Sequence, residues 1–102
     1  MSDSAESLEQ KNVKQTMIVV MENQAGALSN LIGLFAQRAV NIQSLTVLEQ
    51  SDDNTLSTLT LTATTPVDVM MALSKQVDRL VDVIEVDVAQ DMVINIDIKA
   101  AA

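Results

Sequence analysis

The sequence predicts an α+β fold in which two helices lie on one face of a four-stranded antiparallel sheet, in the order strand, helix, strand, strand, helix, strand. Three observations predict it. An apolar run over residues 17–21 stops at a polar elbow, Glu22-Asn23-Gln24-Ala25-Gly26, and apolar residues at helical spacing follow. Two β-rich runs flank the turn-forming segment Gln50-Ser51-Asp52-Asp53-Asn54. Finally, Thr65-Pro66-Val67-Asp68 has the marks of a second helix start, and a last β-rich run succeeds that helix.

Taken in order, residues 1–15 are polar and mixed in charge, with Leu8 and Val13 as the larger apolar side chains, and are expected to form a flexible N-terminal arm. In the run that follows, Met17, Val19 and Met21 fall on one side and Ile18 and Val20 on the other, the pattern of a central strand covered on both faces. A helix is expected over 27–38. Its core stripe is Leu28, Leu31, Ile32, Phe35 and Ala39, while Ser29, Asn30, Gly33 and Gln37 point away. Gly33 in a helix interior costs up to about 1 kcal/mol against Ala, and it reads either as a close approach by another backbone or as drift at an exposed site.

Strands are expected over 41–49 and 55–63, joined as an antiparallel hairpin. In the second, Leu59, Leu61 and Ala63 alternate with Thr58, Thr60 and Thr62, giving one buried face and one threonine ladder. The second helix takes Thr65 as N-cap and Pro66 at its first position, with Asp68 in the first turn. Val69, Met70, Leu73, Val77, Leu80 and Val81 form its apolar stripe, where methionine is packing rather than a metal or cofactor site. Residues 83–88 close the unit as a fourth strand. Right-handed crossovers place the first and third strands in the middle, which is the ferredoxin-like arrangement. Residues 92–98, MVINIDI, alternate cleanly and are expected as an extra C-terminal strand on a sheet edge or over the bare sheet face. The expected organisation is an arm over 1–15, a folded domain over 16–89, and a strand and tail over 90–102.

Composition excludes several functions. Without cysteine the chain has neither disulfides nor a thiolate metal site, which fits a reducing cytoplasm. No apolar run approaches the roughly 18 residues of a membrane span, and the polar, acid-containing start is unlike a signal peptide. With fourteen acids against six scattered bases, a net charge of −8 and one aromatic residue, the chain is unsuited to nucleic acid. It also lacks His, Cys, Tyr and Trp, which removes the near-neutral acid–base and the best nucleophile. Asp82, Glu85 and Asp87 read as the solvent side of a strand. Asp52-Asp53-Asn54 lacks the other ligands of a calcium loop, so no metal site and no catalytic site is expected.

The elbow remains. A helix N-terminus presents unpaired N–H groups and the positive end of the macrodipole, so the loop that feeds it is a natural seat for a carboxylate. On the residues alone the bland reading stands beside this one: Gly26 supplies a positive φ for the turn, and Asn23 caps the helix.

The run Glu22-Asn23-Gln24-Ala25-Gly26-Ala27-Leu28, then Gly33-Leu34-Phe35-Ala36-Gln37-Arg38, Asn41-Ile42-Gln43-Ser44-Leu45-Thr46-Val47 and Leu80-Val81-Asp82-Val83, closely resembles the ACT domain of acetolactate synthase regulatory subunits. The resemblance covers residues 17–88. It implies an allosteric subunit without chemistry of its own. Such subunits bind a large catalytic subunit that carries thiamine diphosphate, magnesium and FAD, raise its activity, and confer feedback inhibition by valine or a related branched-chain amino acid. None of those cofactors is expected on this chain. Carried over by position, the effector site is Asn23, Gly26, Ala27 and Leu28 of one protomer with Asn41 and Ile42 of its partner in a homodimer. N–H groups at 26–28 would take the carboxylate, amide side chains the ammonium, and Leu28 and Ile42 the aliphatic side chain. Many relatives carry a Gly and an aromatic where this chain has Ala39-Val40, which leaves the effector's identity open, and the longer ones have a second domain, so activation of the large subunit is expected to be weaker or organised differently. The alternatives are a free-standing amino-acid-sensing ACT module and a purely structural dimerisation module.

Overall fold

The computed structural model describes residues 11–50 and 55–90 of the chain. They form β1 (Asn12–Glu22), α1 (Ala27–Gln37), β2 (Ile42–Gln50), β3 (Leu56–Pro66), α2 (Val67–Asp78) and β4 (Val83–Gln90). The sheet order is β2-β3-β1-β4 and every neighbouring pair is antiparallel. The expected βαββαβ order therefore holds, with the first and third strands in the centre. The expected strand over 92–98 lies outside the described residues, as do 1–10 of the expected arm.

Strand alternation and helix stripes meet in one core. Met17, Val19 and Met21 of β1 and Leu59, Leu61 and Ala63 of β3 are buried beneath Leu31 and Phe35 of α1 and Met70, Leu73 and Val77 of α2. The threonine ladder of β3 faces the opposite way, as the alternation predicts.

β1 departs from expectation in two respects. It begins at Asn12, so 12–15 belong to the sheet and not to an arm, because β3 runs on to Pro66 and offers them a ladder, Val13 opposite Thr65 and Gln15 opposite Ala63. Gln15 is 1% exposed, and its polarity is satisfied there: Nε2 donates to the carbonyls of Val13 (3.2 Å) and Thr65 (3.0 Å). Nor is β1 covered on both faces among the described residues. Both helices pack on one side, leaving Ile18 38% exposed and Val20 half-buried on the bare side.

The helix boundaries shift what the stripes bury. α1 ends at Gln37, where the N–H of Val40 donates to the Phe35 carbonyl and that of Ala39 to the Ala36 carbonyl, each at 3.0 Å. These two bonds form a Schellman motif, which turns Val40 into the core and leaves Ala39 outside the stripe with φ 57. Ile32 is also exposed, and Ala27 takes a core place instead. In α2 the N-cap is Pro66 without a side-chain cap, since Thr65 is still in β3. Asp68 accepts the neighbouring Val69 N–H at 2.9 Å. α2 stops at Asp78, so Val81 falls in the following turn, 91% exposed. Around Gly33 no atom lies within 4 Å of where a Cβ would sit, so no other backbone among the described residues accounts for it.

Ala39 carries a measurable strain. A non-glycine residue in the left-handed region costs about 1 kcal/mol, so Ala39→Gly is expected to stabilise the domain by roughly 0.5–1 kcal/mol, a rise of several degrees in Tm. An unchanged or lower Tm on thermal denaturation contradicts this.

Candidate functional site

The elbow is held from both sides. At the end of β1 the Glu22 N–H donates to the Asp82 carbonyl (2.7 Å), and the Asn23 N–H donates to the Thr55 carbonyl (2.9 Å) at the start of β3. The Gln24 N–H turns back on Glu22 (2.9 Å) and the Ala27 N–H on Gln24 (3.1 Å), while the Asn30 N–H opens the helical ladder at the Gly26 carbonyl (3.0 Å). The N–H groups of Gly26, Leu28 and Ser29 are left without an acceptor among the described residues. Gly26 makes the turn possible with φ 84 and ψ −9. The first turn of α1 holds no acidic residue, so the positive end of the helix is not neutralised from within.

Beneath this helix start lies a cleft of about 70 Å³. Its walls are Met21, Ala27, Leu28, Val47 and Leu59, its rim is Glu22, Asn23 and Gln24, and Ser57 contributes a hydroxyl. Asn23 does not cap the helix: its Nδ2 reaches towards Glu49 Oε2 at 3.4 Å, near the end of β2.

Of the expected site residues, Asn23, Ala27 and Leu28 line this cleft and Gly26 forms its turn. Ala27 N–H is taken by Gln24, so the donors free for an anion are Gly26, Leu28 and Ser29 rather than a continuous run over 26–28. Asn41 and Ile42 are elsewhere. They border a separate hollow with Ile32, Phe35 and Val40, past the far end of α1, whose length of about 16 Å separates them from the elbow. One chain does not bring the two groups together. Val47 and Ser57 were missed from sequence, although Ser57 leaves a signal: it is the polar member of the inward series Ser57, Leu59, Leu61, Ala63. Among the described residues there is no group of three or more acidic side chains that could hold a metal, and no helix long and apolar enough to cross a membrane.

Similar folds define the class first. The structure superimposes on the ACT domain of the GTP pyrophosphokinase of Chlorobium tepidum with a TM-score of 0.66, over 78% of this chain and 100% of that one, at 15% identity. It superimposes on the acetolactate synthase small subunit of Thermotoga maritima with a TM-score of 0.64 at 28% identity, over 72% of this chain and 45% of that one. The fold is that of an ACT domain. Sequence comparison narrows the class: the profile of the "AHAS small subunit-like ACT domain" matches residues 17–85. Over 74 residues the chain is 45% identical to the acetolactate synthase small subunit of Haemophilus influenzae and to the acetolactate synthase isozyme 3 small subunit of Escherichia coli. Each match covers 72% of this chain and 45% of the relative, so the chain spans less than half the length of these relatives. This chain belongs to the AHAS small subunit-like ACT domain family.

Proposed function

We propose that the chain is a non-catalytic regulatory subunit of acetolactate synthase, working in the cytoplasm. It binds the large catalytic subunit, activates it, and makes it subject to feedback inhibition by valine or another branched-chain amino acid. Thiamine diphosphate, magnesium and FAD belong to the catalytic partner in this reading. The observation that carries it is the elbow, a helix N-terminus with unbonded donors above an apolar cleft, inside the span that matches the family.

An α-amino acid suits this seat. Its carboxylate meets the N–H groups of Gly26, Leu28 and Ser29, its ammonium meets the side chains of Asn23 and Glu49, and its aliphatic chain lies on Leu28. The cleft of one chain is far below the roughly 300 Å³ at which small-molecule pockets begin, so something must complete it. A second protomer does so if the β2 edges pair. β2 is an edge strand with the uncharged run Gln43-Ser44-Leu45-Thr46-Val47-Leu48, whereas the opposite edge, β4, carries Glu85 and Asp87. Antiparallel pairing about a two-fold axis near Thr46 sets the partner's first β2 residues beside this chain's Glu49, where Asn23 and the elbow sit. Asn41 and Ile42 then arrive at the cleft from the other protomer.

Reconstitution tests the reading. The purified chain mixed with an acetolactate synthase large subunit is expected to co-elute with it, to raise the rate of pyruvate condensation, and to make that rate fall on addition of valine. Coupling between effector and partner of this kind is typically about 1–3 kcal/mol. Amino-acid binding without association with the large subunit points instead to a sensing module that serves another protein.

A further inference from the structure

Ser57 Oγ is a buried hydroxyl without a hydrogen-bond partner among the described residues, in a residue that is 4% exposed. Burying a hydroxyl unpaired costs free energy, and native structures keep few such groups. Ser57 lies on the helix-facing side of β3, opposite Met21 of β1 and Glu49 of β2, and its side chain lines the cleft beneath the α1 N-terminus. Ser57 from the sheet and Leu28 from the helix start therefore line the same small space, and the orphaned hydroxyl and an unbonded N–H belong to these two residues. The surrounding walls, Met21, Val47 and Leu59, are apolar and offer the hydroxyl nothing. The N–H side requires an acceptor and the hydroxyl can donate, so a carboxylate satisfies both with its two oxygens, whereas an ammonium accepts from neither.

We propose that Ser57 is an effector-binding residue: its Oγ–H donates to the carboxylate of the bound amino acid, opposite the N–H groups of the α1 N-terminus. The proposal rests on the reading of the elbow as an amino-acid seat and adds to it the sheet-side donor. The bound carboxylate would give the hydroxyl the acceptor that no described residue supplies.

The test is a comparison of wild type with Ser57→Ala, titrated calorimetrically with valine and with valinamide, which lacks the carboxylate, while thermal denaturation is followed without ligand. Ser57→Ala is expected to weaken valine binding about tenfold or more and to leave the weaker valinamide binding unchanged. Its Tm without ligand is expected to match or exceed that of the wild type, since an unpaired polar group has been removed. Equal valine affinity in the two proteins overturns the role of Ser57 while leaving the elbow reading intact. Equal losses for valine and valinamide overturn it too, because they mean that Ser57 shapes the cleft rather than holding the carboxylate. A wild type that binds none of valine, leucine and isoleucine overturns both the proposal and the reading on which it rests.

Discussion

Gly26→Asp is expected to abolish amino-acid binding while the domain stays folded. Gly26 has φ 84, a conformation that Asp tolerates better than most side chains, and no atom lies within 4 Å of the added Cβ. The new carboxylate lands at the positive end of α1, where it is favourable to the helix by about 0.3–1 kcal/mol. There it occupies the field meant for the effector's carboxylate and repels it. Two like charges about 4 Å apart near a protein surface interact by roughly 4 kcal/mol, or about a thousandfold in affinity. Gly26→Asn has nearly the same shape without the charge and is expected to bind within about tenfold of wild type, a difference of roughly 1.4 kcal/mol or less. Calorimetric titration of the two variants beside the wild type checks this, and a Gly26→Asp chain that binds as tightly as the wild type removes the elbow from the site.

Leu45→Asp is expected to convert a dimer to a monomer and to lose effector binding with it. Leu45 is 38% exposed on the helix-facing side of an edge strand, and Val47 on the same side is 44% exposed. In the proposed pairing about an axis near Thr46, Leu45 of one protomer would lie opposite Val47 of its partner, so the dimer would bury side chains that the single chain exposes. Aspartate there places a charge in that contact, on a chain whose net charge is already −8. The monomer keeps its core, because Leu45 is outside it. Light scattering is expected to give half the wild-type mass, and circular dichroism an unchanged fold. A dimer that persists with full valine affinity contradicts the pairing of β2 edges.

Much of this was legible in the sequence because periodicity is a local record of burial. Leu59, Leu61 and Ala63 against Thr58, Thr60 and Thr62 fixed the two faces of β3, and Met17, Val19 and Met21 the inner face of β1. Chain ends were read less well, since they depend on partners distant in sequence. Residues 12–15 look like an arm until β3 is seen to extend alongside them, and Gln15 looks exposed until the Thr65 carbonyl is beside it. The hydrophobicity of Ile18 and Val20 suggested a covered face that the described residues do not provide. In the same way Ala39 and Val81 matched helical spacing but fell beyond the last turn, where local capping decides direction. The cleft at the elbow was half legible. Asn23, Gly26, Ala27 and Leu28 are close in sequence and in space, whereas Val47 and Ser57 join them only through strand register.

The most direct test of a branched-chain amino-acid seat at the elbow is calorimetric titration of the purified chain with valine, leucine and isoleucine. Saturable binding of at least one of them, at one or two sites per dimer, is the predicted result. No heat and no thermal stabilisation with any of the three contradicts the account.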